Sequence, residues 1–235
     1  MNDKFDYESD YLRCIKTFEA NGFFENANKK ALYDFQLEII KNNDCAMAYF
    51  FAESINVNIN LMQKVIIDNL NENYAYLFAR NIQNADVKLL ELIVINSKNL
   101  DLICDFACFV KNANINKLQN IIVSSKNPKL YFMFIKYNKV KDITPFKKIL
   151  LKSNKPNYLF ELAKNLKLKK EISHIEDLLI KLKAYTYIKK FAAEIKNANV
   201  EKLESAILES NNIKQIKKFA KSVKKSKMSK FLISG

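Results

Sequence analysis

The chain has 235 residues, 49% of them hydrophobic, and 39 basic against 25 acidic side chains give a formal net charge of +14. That length and apolar content allow a substantial buried core and exclude wholesale disorder. Two glycines and three prolines are too few breakers for a set of tight β-hairpins, so the composition points to helices. Trp is absent, and Arg13 and Arg80 are the only arginines. Part of the Lys, Asn and Ile excess is what AT-rich coding produces.

The N-terminal run MNDKFDYESD is acidic and polar, unlike a signal peptide. No stretch approaches the roughly 18 apolar residues that would suggest a membrane span. Cys14, Cys45, Cys104 and Cys108 are therefore read as reduced thiols of a cytoplasmic protein. Residues 1–43 read as two helices capping one end, the first stopping near Gly22.

From residue 44 onward the chain repeats itself. Phe51-Ala52, Phe78-Ala79, Phe106-Ala107, Phe134-Ile135, Leu162-Ala163, Phe191-Ala192 and Phe219-Ala220 recur every 27 to 29 residues. A second column follows in Leu90, Leu118, Phe146, Ile175 and Leu203, and a third four residues later in Val94, Ile122, Leu150, Leu179 and Ile207. Ser97, Ser125, Ser153 and Ser210 close their units. A fixed period of this size is the mark of stacked repeats. The predicted units are approximately 44–71, 72–99, 100–127, 128–155, 156–183, 184–212 and 213–235.

Within a unit the apolar residues keep helical spacing, Ala75, Phe78, Ala79 and Ile82 on one helix and Leu90, Ile93 and Val94 on the next. The phrase KNAN at 111–114 and 196–199, with QNAD at 83–86, is the corner between them. Asn112 and Asn197 suit the left-handed residue past a helix end. Asp86, Asn114, Asp142 and Asn199 suit the N-cap of the second helix. In the fifth unit the corner carries one extra residue, and Ser173 with Glu176 reads as a capping box. Pro128 and Pro156 fit first helical turns.

On these columns residues 44–235 resemble the HEAT and armadillo class of helical-hairpin repeats. The unit is shorter than in those families, and their fixed Pro and Arg positions are missing. The resemblance implies an all-α, right-handed α-solenoid of about six to seven short hairpins with an N-terminal helical cap.

Charge divides along the chain. Residues 1–110 carry ten basic and 16 acidic side chains, whereas residues 111–235 carry 29 and nine. The lysines also keep register. Counting from the phenylalanine as zero, position +5 is Lys111, Lys139, Lys167, Lys196 and Lys224, in what is expected to be the last helical turn. Position +2 is Arg80, Lys136, Lys164 and Lys221. Position −2 is Tyr76, Cys104, Phe132 and Phe160, then Lys189 and Lys217. All three positions lie to one side of the buried stripe. Stacked, they form a ladder of cations for phosphates, with Tyr76, Phe132 and Phe160 as candidates for base stacking. The competing reading is plain: lysines complement helix ends and the aromatics pack against the next repeat. The tail KKFAKSVKKSKMSK at 217–230 has more lysine than capping requires.

No catalytic set emerges. His174 is the only histidine, placed in a helical first turn, and Cys104 and Cys108 lack the further ligands of a metal site. No metal or other cofactor is expected. The function expected first is a non-catalytic scaffold whose basic repeats bind RNA, DNA or a nucleic-acid-containing complex. An adaptor for an acidic or nucleic-acid-bound protein is the alternative, or a small inhibitor of a nucleic-acid-processing complex that mimics phosphates with its acidic end. Some HEAT-like solenoids are alkylated-base DNA glycosylases, which the chain resembles in size, charge and helix content. Their pockets use Trp, which this chain lacks.

Overall fold

The repeated apolar columns become helices because each short segment offers one apolar stripe at 3.6-residue spacing, most of them bounded by Asn, Asp or Pro at the start. The computed structural model describes residues 6–23, 29–224 and 226–227. Among these are fifteen α-helices and no strand. The end of the seventh predicted unit, with most of the lysine tail past Lys224, lies outside the described residues. No helix of the described residues is long and apolar enough to cross a membrane. The chain divides into two compact units, Met1–Ile122 and Val123–Gly235.

In the first unit, α1 (Tyr7–Ala20) and α2 (Lys29–Asn42) precede three hairpins' worth of helices. These are α3 (Cys45–Ile55), α4 (Ile59–Asp68), α5 (Glu72–Asn81), α6 (Val87–Asn96), α7 (Leu100–Phe109) and α8 (Ile115–Ser124), the last reaching the division. Each of α3 to α6 packs on its neighbour in sequence, and α3 packs on α5, α4 on α6 and α5 on α7, while α1 and α2 pack on α3. Phe51, Phe78 and Phe106 are fully buried. Truncating such a side chain to Ala costs about 3–5 kcal/mol. Gly22 does sit just past α1, with φ at +67°.

The second unit holds α9 (Pro128–Tyr137), α10 (Thr144–Lys152), α11 (Pro156–Lys164), α12 (Lys169–Lys181), α13 (Tyr185–Glu194), α14 (Val200–Glu209) and α15 (Ile213–Ser222). Here α9 packs on α11, α11 on α13 and α13 on α15, with the even-numbered helices α10, α12 and α14 completing the hairpins. Its core is the same set of columns, Phe134, Phe146, Leu162, Ile175, Phe191, Leu203 and Phe219.

The closing serines have a geometric role. Ser97, Ser153 and Ser210 each donate from Oγ to the carbonyl three residues back, 2.6–2.7 Å, and accept from the amide two residues on, 3.2–3.4 Å. The residue after each serine is left-handed, and this corner recurs at Asn43, Leu70, Lys98, Lys126, Asn154, Lys183 and Asn211, with φ from +49° to +58°. A left-handed residue ends a helix cleanly, at a steric cost for any side chain beyond Gly or Asn.

Three local expectations change. At the other corner, Asn84 and Asn112 are left-handed but Asn197 is not; its side chain instead donates to the Lys167 carbonyl at 3.4 Å. The Ser173–Glu176 capping box does not form, because α12 starts at Lys169 and puts both residues, and His174, beyond the first turn. The +5 lysines lie past the helix ends, Lys111, Lys196 and Lys224 each following the C-cap residue directly.

Glu176 has another partner. It is buried, and its Oε1 accepts the backbone N–H of Asn199, the N-cap of α14, at 2.6 Å. Glu91 does the same for Asn114 at 2.6 Å and Gln63 for Asp86 at 2.8 Å. Glu204 accepts from Ser226 Oγ at 2.9 Å and Lys227 N at 3.2 Å. Glu176, Glu91 and Gln63 therefore each tie one second helix to the start of the next, 23 residues on, and Glu204 bonds residues at the same offset, 22 and 23 on. An anion beside a helix N-terminus is favoured by the backbone dipole and relieves an orphan amide.

Candidate nucleic-acid interface

The clefts of the second unit lie along the corners that carry the +5 lysines. Lys164 and Lys196 line a cleft between the α11 and α13 ends. Lys196 and Lys224 line the next, of about 380 Å³, between the α13 and α15 ends. Lys139, Lys167, Lys196 and Lys224 are all exposed. Lys139, Lys167 and Lys196 have no acidic partner within ion-pair distance among the described residues. Glu194 lines both clefts and opposes an anion there. Neither cleft contains an aromatic ring, so neither is the aromatic and carboxylate pocket that base excision requires.

The −2 aromatics are placed as supports. Tyr76 and Phe160 are buried, and Phe132 is half-buried. Phe132 stacks on Tyr158 at 4.7 Å between ring centroids, and Phe160 packs against Tyr187 at 6.1 Å. Tyr76 packs against Phe106 at 6.4 Å. These rings already have neighbours, and the exposed cation one turn along lies over each. Lys136 Nζ is 5.8 Å from the Phe132 ring, Lys164 Nζ 4.7 Å from Phe160 and the Arg80 guanidinium 5.9 Å from Tyr76. A cation over an aromatic face gains about 0.5–1 kcal/mol at exposed sites. The ring orients the cation; it does not offer a free face to a base.

The remaining predicted cations separate by unit. Arg80 and Lys111 are exposed in the first unit. Lys136, Lys164, Lys217 and Lys221 are exposed in the second, and Lys189 is half-buried. Lys164 also reaches Glu161 at 3.5 Å. The second unit carries 27 basic and nine acidic side chains, a net of +18, against −4 for the first. Fields of this size draw polyanions to a surface.

Several acids of the first unit are engaged inside it. Asp44 caps α3 through Met47 N at 3.0 Å and receives Arg13 at 2.7 and 3.2 Å. Burial pushes the Asp44 carboxyl up, but the Arg13 hydrogen bond, the Met47 and Ala46 amides and the Arg13 charge together hold it below its ordinary value. Asp10 accepts from Tyr74 and pairs with Arg13 at 3.4 Å. Glu53 accepts from Tyr49 at 2.6 Å, Asp86 caps α6, and Glu91 is the buried strut.

Among the described residues, no group of three or more His, Cys, Asp or Glu is placed to hold a metal. Cys104 is buried and hydrogen-bonded to Cys108, which together with burial raises its thiol pKa; burial pushes Cys14 up to about 12 and Cys45 up to about 11. His174 is exposed on α12. Compared with known proteins, the chain matches no protein-family model, no curated protein and no solved structure.

Proposed function

We propose that the second unit is a non-catalytic nucleic-acid-binding module that holds the phosphate backbone along its corner lysines. The observation that carries this reading is the row Lys139, Lys167, Lys196 and Lys224, one exposed cation at each successive corner and two of them in clefts. Each unit is read as a stretch of right-handed α-solenoid, supported by the 27–29-residue period and by helices packing on the helix two along. In such a stack the corners recur roughly every 10 Å, the distance between packed helices. That pitch presents a linear row of charge to a linear polyanion, with recognition of backbone rather than sequence. The setting inferred is cytoplasmic.

The test is fluorescence anisotropy of labelled single-stranded RNA, single-stranded DNA and duplex DNA over a salt series. Four lysines each on one phosphate give a slope of log K against log salt of about −3 for single strands. Replacing Lys139, Lys167, Lys196 and Lys224 by Glu should weaken binding on the order of a hundredfold at low salt and flatten the slope. Glu194→Gln should tighten binding. An unchanged slope in the quadruple variant would remove the reading and turn attention to a protein partner.

A further inference from the structure

The corner between α11 and α12 departs from the repeat, and the departure forms a pocket. Six residues after the phenylalanine position, other corners carry Val57, Asn84, Asn112, Val140 and Asn197; this one carries Leu168, which is 64% exposed and precedes one extra corner residue. The helix that follows is also longer. α12 has 13 residues, where the second helices α4, α6, α8, α10 and α14 have 9 or 10. Its added first turn faces α10 across a cleft of about 360 Å³. Leu151, Leu166 and Leu168 make the apolar lining, and Lys147, Lys170 and His174 stand at the rim. Lys147 is engaged by Glu171, whereas Lys170 and His174 have no acidic partner among the described residues.

We propose that this pocket takes a leucine-sized apolar side chain presented by an acidic peptide segment of a partner protein. Three features select that occupant. The lining is almost wholly apolar carbon, so an inserted nucleobase would leave its ring N–H and carbonyl groups unpaired, at about 1–3 kcal/mol for each. The cleft of about 360 Å³ is rimmed by charged side chains, which suits one apolar side chain flanked by polar residues better than a free acyl chain. The rim cations and the +18 charge of the unit complement acidic flanks on either side of the anchor. The pocket is thus a second contact point, separate in chemistry from the lysine row.

The probes are three fluorescein-labelled pentapeptides, each a central residue with two flanking residues on either side: leucine between glutamates, alanine between glutamates, and leucine between lysines. The glutamate-flanked leucine peptide should bind the full chain at least tenfold more tightly than either control, since leucine adds three carbons to alanine in an apolar pocket and lysine flanks meet like charge at the rim. Leu168→Asp should abolish that preference, and Leu168→Asn, which adds no charge beside Lys167, should do so while leaving oligo-dT binding unchanged; the exposure of Leu168 keeps both variants folded. Lys170→Glu should weaken both glutamate-flanked peptides and leave the lysine-flanked one no weaker. Equal affinity for the leucine and alanine peptides overturns the proposal, as does a preference that survives in Leu168→Asp. Displacement of the peptide by decanoate at lower concentration than by the unlabelled leucine peptide would also overturn it, by assigning the pocket to an acyl chain.

Discussion

The two units share one repeat and use ionisable side chains in opposite ways. In the first, charge is turned inward to the fabric: Arg13 joins Asp10 and Asp44, Tyr74 donates to Asp10, and Tyr49 bridges Glu53 and Asn81. In the second, most lysines are exposed and the acids are few, with Glu176 and Glu204 spent on struts. The same columns therefore build a neutralised scaffold in one place and a strong positive field in the other. The repeat sets where a side chain stands; the residue chosen there decides whether it serves stability or binding.

The struts allow the sharpest comparison, because Gln63 does in the first unit what Glu176 does in the second. Glu176→Ala leaves the Asn199 amide without its partner and removes one contact of the Lys202 ammonium, 3.5 Å from Glu176 Oε2, which keeps Asp177 and Ser173. Oε2 itself has no hydrogen bond, so its only compensation is this ion pair and the second contact of Lys202 with Asp177 at 2.7 Å. The expected loss is about 3 kcal/mol in urea unfolding. Gln63→Ala, which strands only an amide, should cost about 1–2 kcal/mol. Equal losses would mean that the charge on Glu176 adds nothing.

Asp44 tests the inward-turned charge of the first unit. Its folded pKa lies below the ordinary 3.8, so its contribution is complete above that value and disappears as pH falls through the lower, folded one. Asp44→Asn should cost about 1–2 kcal/mol at pH 7, where the wild type keeps the Arg13 pair, and much less once the pH falls below the lowered folded value. Urea melts at pH 7 and at low pH, followed in the first unit, check this. A loss of the same size at both pH values would show that capping, and not charge, is what Asp44 supplies.

The smallest effect concerns the left-handed corner. Leu70 holds φ at +52° and is 67% exposed, so Leu70→Gly removes steric strain at little packing cost. A gain of about 0.5 kcal/mol is expected, because the added freedom of Gly in the unfolded chain offsets part of the relief. Lys183→Gly, at the equivalent corner of the second unit, should behave alike. Thermal melts that differ in sign between these two variants would break the equivalence of the corners.

Much of this architecture was legible beforehand, for a physical reason. Core columns such as Phe78, Leu90 and Val94 repeat because each hairpin buries the same face, and burial leaves its period in the apolar residues. N-caps were legible at Asp86, Asn114 and Asn199 because their hydrogen bonds are made two or three residues away. The row of struts went unread, although Gln63, Glu91, Glu176 and Glu204 directly follow Met62, Leu90, Ile175 and Leu203. A polar residue beside a core position looks like the edge of the solvent face. Its partner is a backbone amide 22 or 23 residues away, and no side-chain pattern reports it. The capping box at Ser173 failed because α12 begins four residues earlier, at Lys169, which leaves Glu176 for the distant Asn199 amide.

By itself, the sequence determined the period, the helical class, the core columns and the charge contrast, all of which are local or periodic properties of side chains. Tertiary structure decided the rest. Packing put the rings of Phe132 and Phe160 under lysines instead of leaving them open to bases, and it left the +5 lysines beyond the helix ends. It also turned one inserted residue and an added helical turn into an apolar pocket between α10 and α12. Those outcomes depend on which surfaces meet once the helices stack, and a surface is shared by residues that the chain itself keeps apart.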